Sequence, residues 1–247
     1  MISLNDLARF LDGYLRRERF PDEETAGVWR ASERRVARIG LALEPWPGLG
    51  AWAARERLDA LFLHRPFRLA PDALAEGVGV VAYHLPFDER LTLGFNPRLA
   101  DVLGLTNLDV LGEKDGRPLG LIGDADALSF ASWAAVLSDV FGGRDAAHAP
   151  KDEDDAPVAR VAVVGAMNDA LVRAADQRGA RLYVTGQWRE RPASAVRETG
   201  IGVVIVGHRR SEEWGLLALA GVLRERWADL EVVMPLLPRS PEAAAGA

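Results

Sequence analysis

"IGVVIVGHRRSEEWGLLALAGVLRERW", residues 201–227, begins as an apolar, β-branched run, breaks at Gly207 and His208, and continues without proline into a long stretch of good helix formers. The first part reads as a buried strand and the second as a helix beginning near Ser211. A strand that passes directly into a helix is the building unit of an α/β fold. His208 falls at the carboxyl end of that strand, with Glu212 four residues further on. The pair is either incidental or part of a metal site, and the rest of the chain bears on which.

The same alternation recurs along the sequence. Apolar runs stand at 36–43 (VARIGLAL), 58–64 (LDALFLH), 77–84 (GVGVVAYH), 118–123 (PLGLIG), 158–165 (VARVAVVG), 180–186 (ARLYVTG), 201–208 (IGVVIVGH) and 230–236 (LEVVMPL), with helical patterns between several of them. An opening helix is expected where Ser3 and Asp6 have capping-box spacing and Leu4, Leu7, Phe10, Leu11, Tyr14 and Leu15 recur at helical period. Residues 141–157, rich in Gly, Pro, Ala and charge, read as a solvated connection that includes His148. The expected organisation covers residues 1–238, with an outer lobe of about 1–112 and 201–238 and an inserted central lobe of about 113–200. Residues 239–247 have too little apolar surface to order themselves and are expected to be a disordered tail.

Composition narrows the chemistry. The 247 residues contain no cysteine, so thiolate ligands, disulfides and a cysteine nucleophile are excluded and any metal falls to His and carboxylate. A net charge of −6 does not supply the basic face that phosphate-backbone binding uses, so nucleic acid is a disfavoured partner. No run is long enough to span a bilayer, and the start has no signal-peptide pattern; no membrane association and a cytoplasmic location are the expectation. There is no G-x-S-x-G, and Ser211 reads as a helix N-cap rather than a nucleophile. Gly165, between a strand and a helix, reads as a turn, and the glycines of "GRPLGLIGDA" lack the spacing of a nucleotide loop.

There are four histidines, and three of them, His64, His84 and His208, end apolar runs. Carboxyl ends of strands are where ligand sites assemble in open α/β sheets. Two of these histidines have a carboxylate four residues later, His84 with Asp88 and His208 with Glu212. Pro86 argues against a regular helix between His84 and Asp88, so a turning loop is expected there. Imidazole with carboxylate and no thiolate suits Zn, Mn or Fe(II). Taken singly, each histidine reads as a hydrogen-bonded loop or helix-cap residue, Glu212 as a favourable acid in a helix first turn, and Asp88 as a turn former; three histidines together weaken that reading.

In order and separation these segments resemble the Nif-three-like family, also called GTP cyclohydrolase type 2 homologues, over nearly the whole chain. "LFLHRPF" resembles the family's strand ending in His-His-Pro, "AYHLPFD" its His-x-x-x-Asp segment, "YVTGQW" its central Thr-Gly-acid signature, and "GHRRSEEW" its closing Gly-His-x-x-Ser-Glu. The resemblance implies a two-lobed α/β fold with mixed sheets flanked by helices, a dinuclear divalent metal site, and a homo-oligomer, often a hexamer. By position it implies His64, His84, Asp88, His208 and Glu212 as metal ligands. Two positions depart from the pattern. Arg65 stands where the family has its second consecutive histidine, and a guanidinium has no lone pair for a cation, so one ligand is lost. The remaining five could hold one metal firmly with a weaker neighbour, or Arg65 could clamp a phosphate or carboxylate. Gln187 replaces the acid of the central signature, and Trp188 after it is either core or a stacking surface.

The function expected from residues and resemblance together is a divalent-metal-dependent hydrolase of a small nucleotide-like or phosphorylated substrate. Metal-activated water would attack, with Glu212 and Arg65 as catalytic groups and one or two ions (Zn, Mn or Fe) per chain. The other reading is a non-catalytic ring-shaped scaffold that binds a protein, a metabolite or single-stranded nucleic acid and keeps a reduced or structural metal site. Arg65 and Gln187 favour that reading, because both remove site chemistry.

Overall fold

The structure, a computed structural model, describes residues 1–151 and 156–235. In chain order it comprises α1 (Leu4–Tyr14), β1 (Ala26–Arg30), β2 (Arg38–Ala42), α2 (Leu49–Arg55), β3 (Ala60–Leu63), β4 (Gly79–Tyr83) and α3 (Leu85–Leu91). There follow α4 (Pro97–Val102), β5 (Thr106–Val110), β6 (Glu113–Lys114), β7 (Arg117–Pro118), β8 (Gly120–Leu128), α5 (Phe130–Phe141) and β9 (Ala146–His148). The chain continues through β10 (Val158–Val164), α6 (Asp169–Gln177), β11 (Leu182–Thr185), α7 (Ala193–Thr199), β12 (Gly202–Ile205), α8 (His208–Arg226) and β13 (Glu231–Val233). Each apolar run of the sequence overlaps a strand, and the fold is mixed α/β with eight helices among the described residues. The tail expected from residue 239 lies outside the described residues. No described helix is long and apolar enough to cross a membrane.

Two compact units result among the described residues, one of Met1–Phe87 with the chain from Leu216 onward, and one within Asp88–Gly215. In the first, five strands lie in the order β1-β4-β3-β2-β13. β13, β2, β3 and β4 run parallel, and β1 closes one edge antiparallel to β4. Strands buried on both faces read as continuous apolar runs, which is why β3 (ALFL) and β4 (GVVAY) show no alternation. One face packs Leu61, Leu63 and Val80 against Trp52 and Leu49. α1 starts as its sequence predicts: the Ser3 hydroxyl accepts from the Asp6 amide at 3.0 Å, and the Asp6 carboxylate accepts from the Ser3 amide at 3.2 Å. The Ser3 hydroxyl also donates to that carboxylate at 2.6 Å, and this bond, with the one from the Ser3 amide, holds the Asp6 carboxyl below its ordinary pKa.

The second unit carries six strands in the order β5-β8-β10-β11-β12-β9, parallel from β10 to β12 and antiparallel elsewhere. Its core gathers Ile122, Ala162, Tyr183, Val203 and Ile205 with Leu171 and Val172 of α6. Asn168 caps α6 by accepting from the Leu171 amide at 2.9 Å, so Gly165 lies in the turn between β10 and that cap.

Three local expectations are corrected here. Residues 146–148 are not simply a solvated connection but the edge strand β9, paired with β12 through Val203↔His148. That pairing is a long-range contact, invisible to a pattern read over a few residues. The segment from His84 to Asp88 is not a turning loop, because α3 begins at Leu85 with Pro86 in its first turn, where no intrahelical amide donor is required. Finally, α8 begins at His208 rather than near Ser211, so Ser211 is no N-cap, and its hydroxyl donates back to the His208 carbonyl at 2.7 Å.

Candidate metal centre

The register of β3 and β4 places two imidazoles side by side. The strands are parallel, with Leu63 opposite Ala82, so the next residues along, His64 and Arg65 on one chain segment and Tyr83 and His84 on the other, emerge together at the carboxyl edge. The His64 and His84 ring centroids are 5.1 Å apart. Asp88 follows one turn into α3, the helix that begins directly after His84. His64, His84 and Asp88 each offer a ligand atom, and those atoms all lie within 4.8 Å of one another.

The surroundings orient these groups. His64 is fully buried, and its Nδ1 lies 3.0 Å from the Tyr83 carbonyl oxygen. A carbonyl only accepts, so Nδ1 carries the proton and Nε2 presents the lone pair, the tautomer that a metal ligand needs. The Tyr83 side chain is anchored at its far end: its hydroxyl lies 2.9 Å from the Ala8 carbonyl and 2.8 Å from the Asp12 carboxylate, both on α1. Burial and the Asp12 charge push that hydroxyl's pKa far above its usual range, so it stays a donor.

His84 Nδ1 lies 3.3 Å from Glu24 Oε1, and the same oxygen accepts from the Leu85 amide at 3.2 Å. Glu24 therefore does two things. It satisfies an orphan N–H at the start of α3, and it holds the His84 ring by the nitrogen that faces away from a Nε2-bound ion. Sequence reasoning missed Glu24, which looks like one acid among several in "PDEETAG"; sixty residues separate it from His84, and no local signal marks it. Replacing Glu24 by alanine should weaken Zn or Mn binding by about 10–100-fold, measured by competition with a chelator, while the exposed neighbour Glu23→Ala leaves the affinity unchanged.

Two imidazoles and a carboxylate without thiolate suit Zn, Mn or Fe(II) and leave coordination positions open for water or substrate. The donor set thus fits a divalent ion. Arg65 Nε lies 3.7 Å from Glu44 Oε2. Beyond His84 the surface becomes aromatic: Phe67 meets the His84 ring edge-on at 6.1 Å and Trp29 at 6.2 Å. Phe67 is 58% exposed and Trp29 47% exposed, unusual for side chains of this size.

In the second unit His208 and Glu212 form their own pair, Nε2 to Oε1 at 3.0 Å, four residues apart on α8. Glu212 is 1% exposed, while the His208 side chain is largely open. Gly207 precedes the helix at φ +98°, where a Cβ would meet Arg210 Nη1 at 2.7 Å. Arg210 in turn pairs with Asp145. Gln187 is exposed just after β11, and Trp188 packs against the unit's core and against His148, with ring centroids 4.5 Å apart.

Comparison with known proteins shows what the chain and its fold are similar to. Residues 2–240 match the family described as Duf34/NIF3 (NGG1p interacting factor 3). A Halobacterium salinarum protein named GTP cyclohydrolase 1 type 2 homolog is 32% identical over 174 residues, spanning 70% of this chain and 67% of that protein. One of the same name from Pyrococcus horikoshii is 24% identical over 238 residues, 90% of this chain and 94% of that one. Among solved structures, a Thermus thermophilus protein superposes with a TM-score of 0.74 at 25% identity, covering 97% of this chain and 100% of that one.

Proposed function

We propose, from the premise that this chain belongs to the Duf34/NIF3 family, that it is a divalent-metal-dependent hydrolase of small nucleotide-like or phosphorylated compounds. The observation that carries the reading is the His64, His84 and Asp88 group, with Tyr83 and Glu24 fixing the two imidazoles from outside. A divalent ion, when bound, supplies Lewis acidity and a water that ionises near neutral pH.

The chain's own residues do the rest. His64 and His84 hold their lone pairs inward because the Tyr83 carbonyl and the Glu24 carboxylate occupy the opposite ring nitrogens. Arg65, next along the chain from His64, is assigned an anionic substrate group, for which its planar fork is suited. The exposed Phe67 and Trp29 rings support a planar, base-like moiety beside His84. His208 and Glu212 enter the proposal as further ligands on the strength of the Gly-His-x-x-Ser-Glu signature, with Glu212 as the proton acceptor.

The test is hydrolysis by protein loaded with Mn, Zn or Fe(II), across a panel of nucleotides and phosphoesters. For at least one compound class, the loaded protein is expected to release more product than His208→Ala does. Equal release by the two proteins across the whole panel would overturn the hydrolase reading and favour the binding scaffold.

A further inference from the structure

We propose that the second unit carries a separate binding site, between β9 and α7, for a planar aromatic anion. A cavity of about 520 Å³ lies there, lined by His148, Lys151, Trp188, Val196, Arg197 and Ile201 among others. That volume falls within the range of about 300–1,000 Å³ typical of small-molecule pockets. None of these residues belongs to the metal group.

The lining divides by chemistry into a flat wall, an apolar floor and a cationic rim. Trp188 and His148 form the wall, with ring centroids 4.5 Å apart and tilted by 40°. Trp188 is anchored from behind, packed against the unit's core, while its indole N–H donates to Glu190 at 3.2 Å. Ala193, Val196 and Ile201 supply the floor. The rim comprises Lys151 and Arg197, both exposed, and neither forms an ion pair with any described residue.

The backbone fixes where both side chains are rooted. The Lys151 amide donates to the Gly200 carbonyl at 3.0 Å, which ties the end of the β9 segment to the end of α7. Arg197 sits on α7, and the acid beside it, Glu198, is ion-paired with Arg173 at 2.6 Å and feels Arg197 only as a weaker neighbouring charge. An aromatic wall with two cations at its rim is complementary to a planar ring bearing one phosphate or carboxylate: the ring stacks and the anion meets lysine and arginine. The ligand class is therefore a nucleoside monophosphate or an aromatic carboxylate of similar size. The site stands independently of the hydrolase reading.

Isothermal titration of the full chain with AMP, adenosine, inorganic phosphate and anthranilate tests this, in metal-stripped protein so that the metal group is silent. AMP or anthranilate is expected to bind, with adenosine and phosphate each much weaker because each lacks one half of the match. Arg197→Ala and Trp188→Ala should each weaken binding by roughly 10–100-fold, while His64→Ala leaves it unchanged. Whether AMP or anthranilate binds more tightly identifies the phosphate or the carboxylate as the preferred anion. Because Asp152, Glu153, Asp154 and Asp155 directly follow Lys151 in sequence, the titrations are repeated with those four replaced by serine; binding in either background that needs Arg197 supports the site. No heat in both backgrounds up to millimolar probe overturns it. So does binding abolished by His64→Ala but not by Trp188→Ala, or a Trp188→Ala variant whose only change is a lower mass by light scattering, which would make the cavity a subunit contact.

Discussion

Protein carrying His64→Ala, His84→Ala or Asp88→Asn is expected to purify with almost no bound Zn, Mn or Fe, and to recover none on reloading, whereas the unsubstituted chain carries at least one ion. The three side chains converge within 4.8 Å, so each supplies one of few protein ligands, and loss of one should cost more than the roughly 10–100-fold that outer-shell substitutions cost. His64 is fully buried, so its replacement by alanine also opens a core cavity and confounds folding with binding. Asp88→Asn avoids this: the side chain is only half-buried and the shape is kept, while the negative charge is removed. Elemental analysis of folded Asp88→Asn is therefore the deciding measurement. Full metal content in both Asp88→Asn and His84→Ala would mean that the group does not hold the ion.

The second large effect is expected at Gly94, in the connection between α3 and α4. A Cβ there would stand 2.3 Å from the Glu89 carbonyl oxygen, 2.7 Å from its Cα and 2.8 Å from its carbonyl carbon. All three are backbone atoms, so no side-chain rotation relieves the clash and the end of α3 must move. Glu89 follows Asp88 and accepts from Arg117 at 2.7 Å, where the arginine is 8% exposed. Displacing that helix end disturbs a nearly buried ion pair and shifts a metal-group residue together. Gly94→Ala should cost about 1–3 kcal/mol or somewhat more, a fall of several degrees in Tm, together with weaker metal binding. Gly13→Ala is the control. It lies in α1 with nothing within 4 Å of its Cβ, so alanine there should stabilise by about 0.5–1 kcal/mol through helix propensity. A Gly94→Ala melting curve matching that of the unsubstituted protein would show that α3 yields freely and that Asp88 is not held by this contact.

Much of the architecture was legible because it rests on local pattern. Runs such as ALFL and GVVAY announce strands buried on both faces, Ser3 with Asp6 announces the start of α1, and a histidine after an apolar run marks a strand's carboxyl end. The boundary errors at Pro86 and Ser211 have a shared cause. Both residues can sit outside a helix or within its first turns, and which occurs depends on partners such as Glu24 at the amide of Leu85 and the His208 carbonyl beneath Ser211.

By itself the sequence determined the α/β class, the strands at the eight apolar runs, the opening helix and the long helix after His208, and the histidines and carboxylates able to meet at strand ends, since periodicity and spacing are properties of neighbouring residues. Tertiary structure decided which groups surround them: the Leu63↔Ala82 register that sets His64 beside His84, the Tyr83 carbonyl that selects the His64 tautomer, and Glu24 behind His84. It also decided that a polar connection pairs as β9 and brings His148 against Trp188. Each of these contacts joins residues nineteen or more positions apart, where register and packing, rather than local propensity, determine what meets.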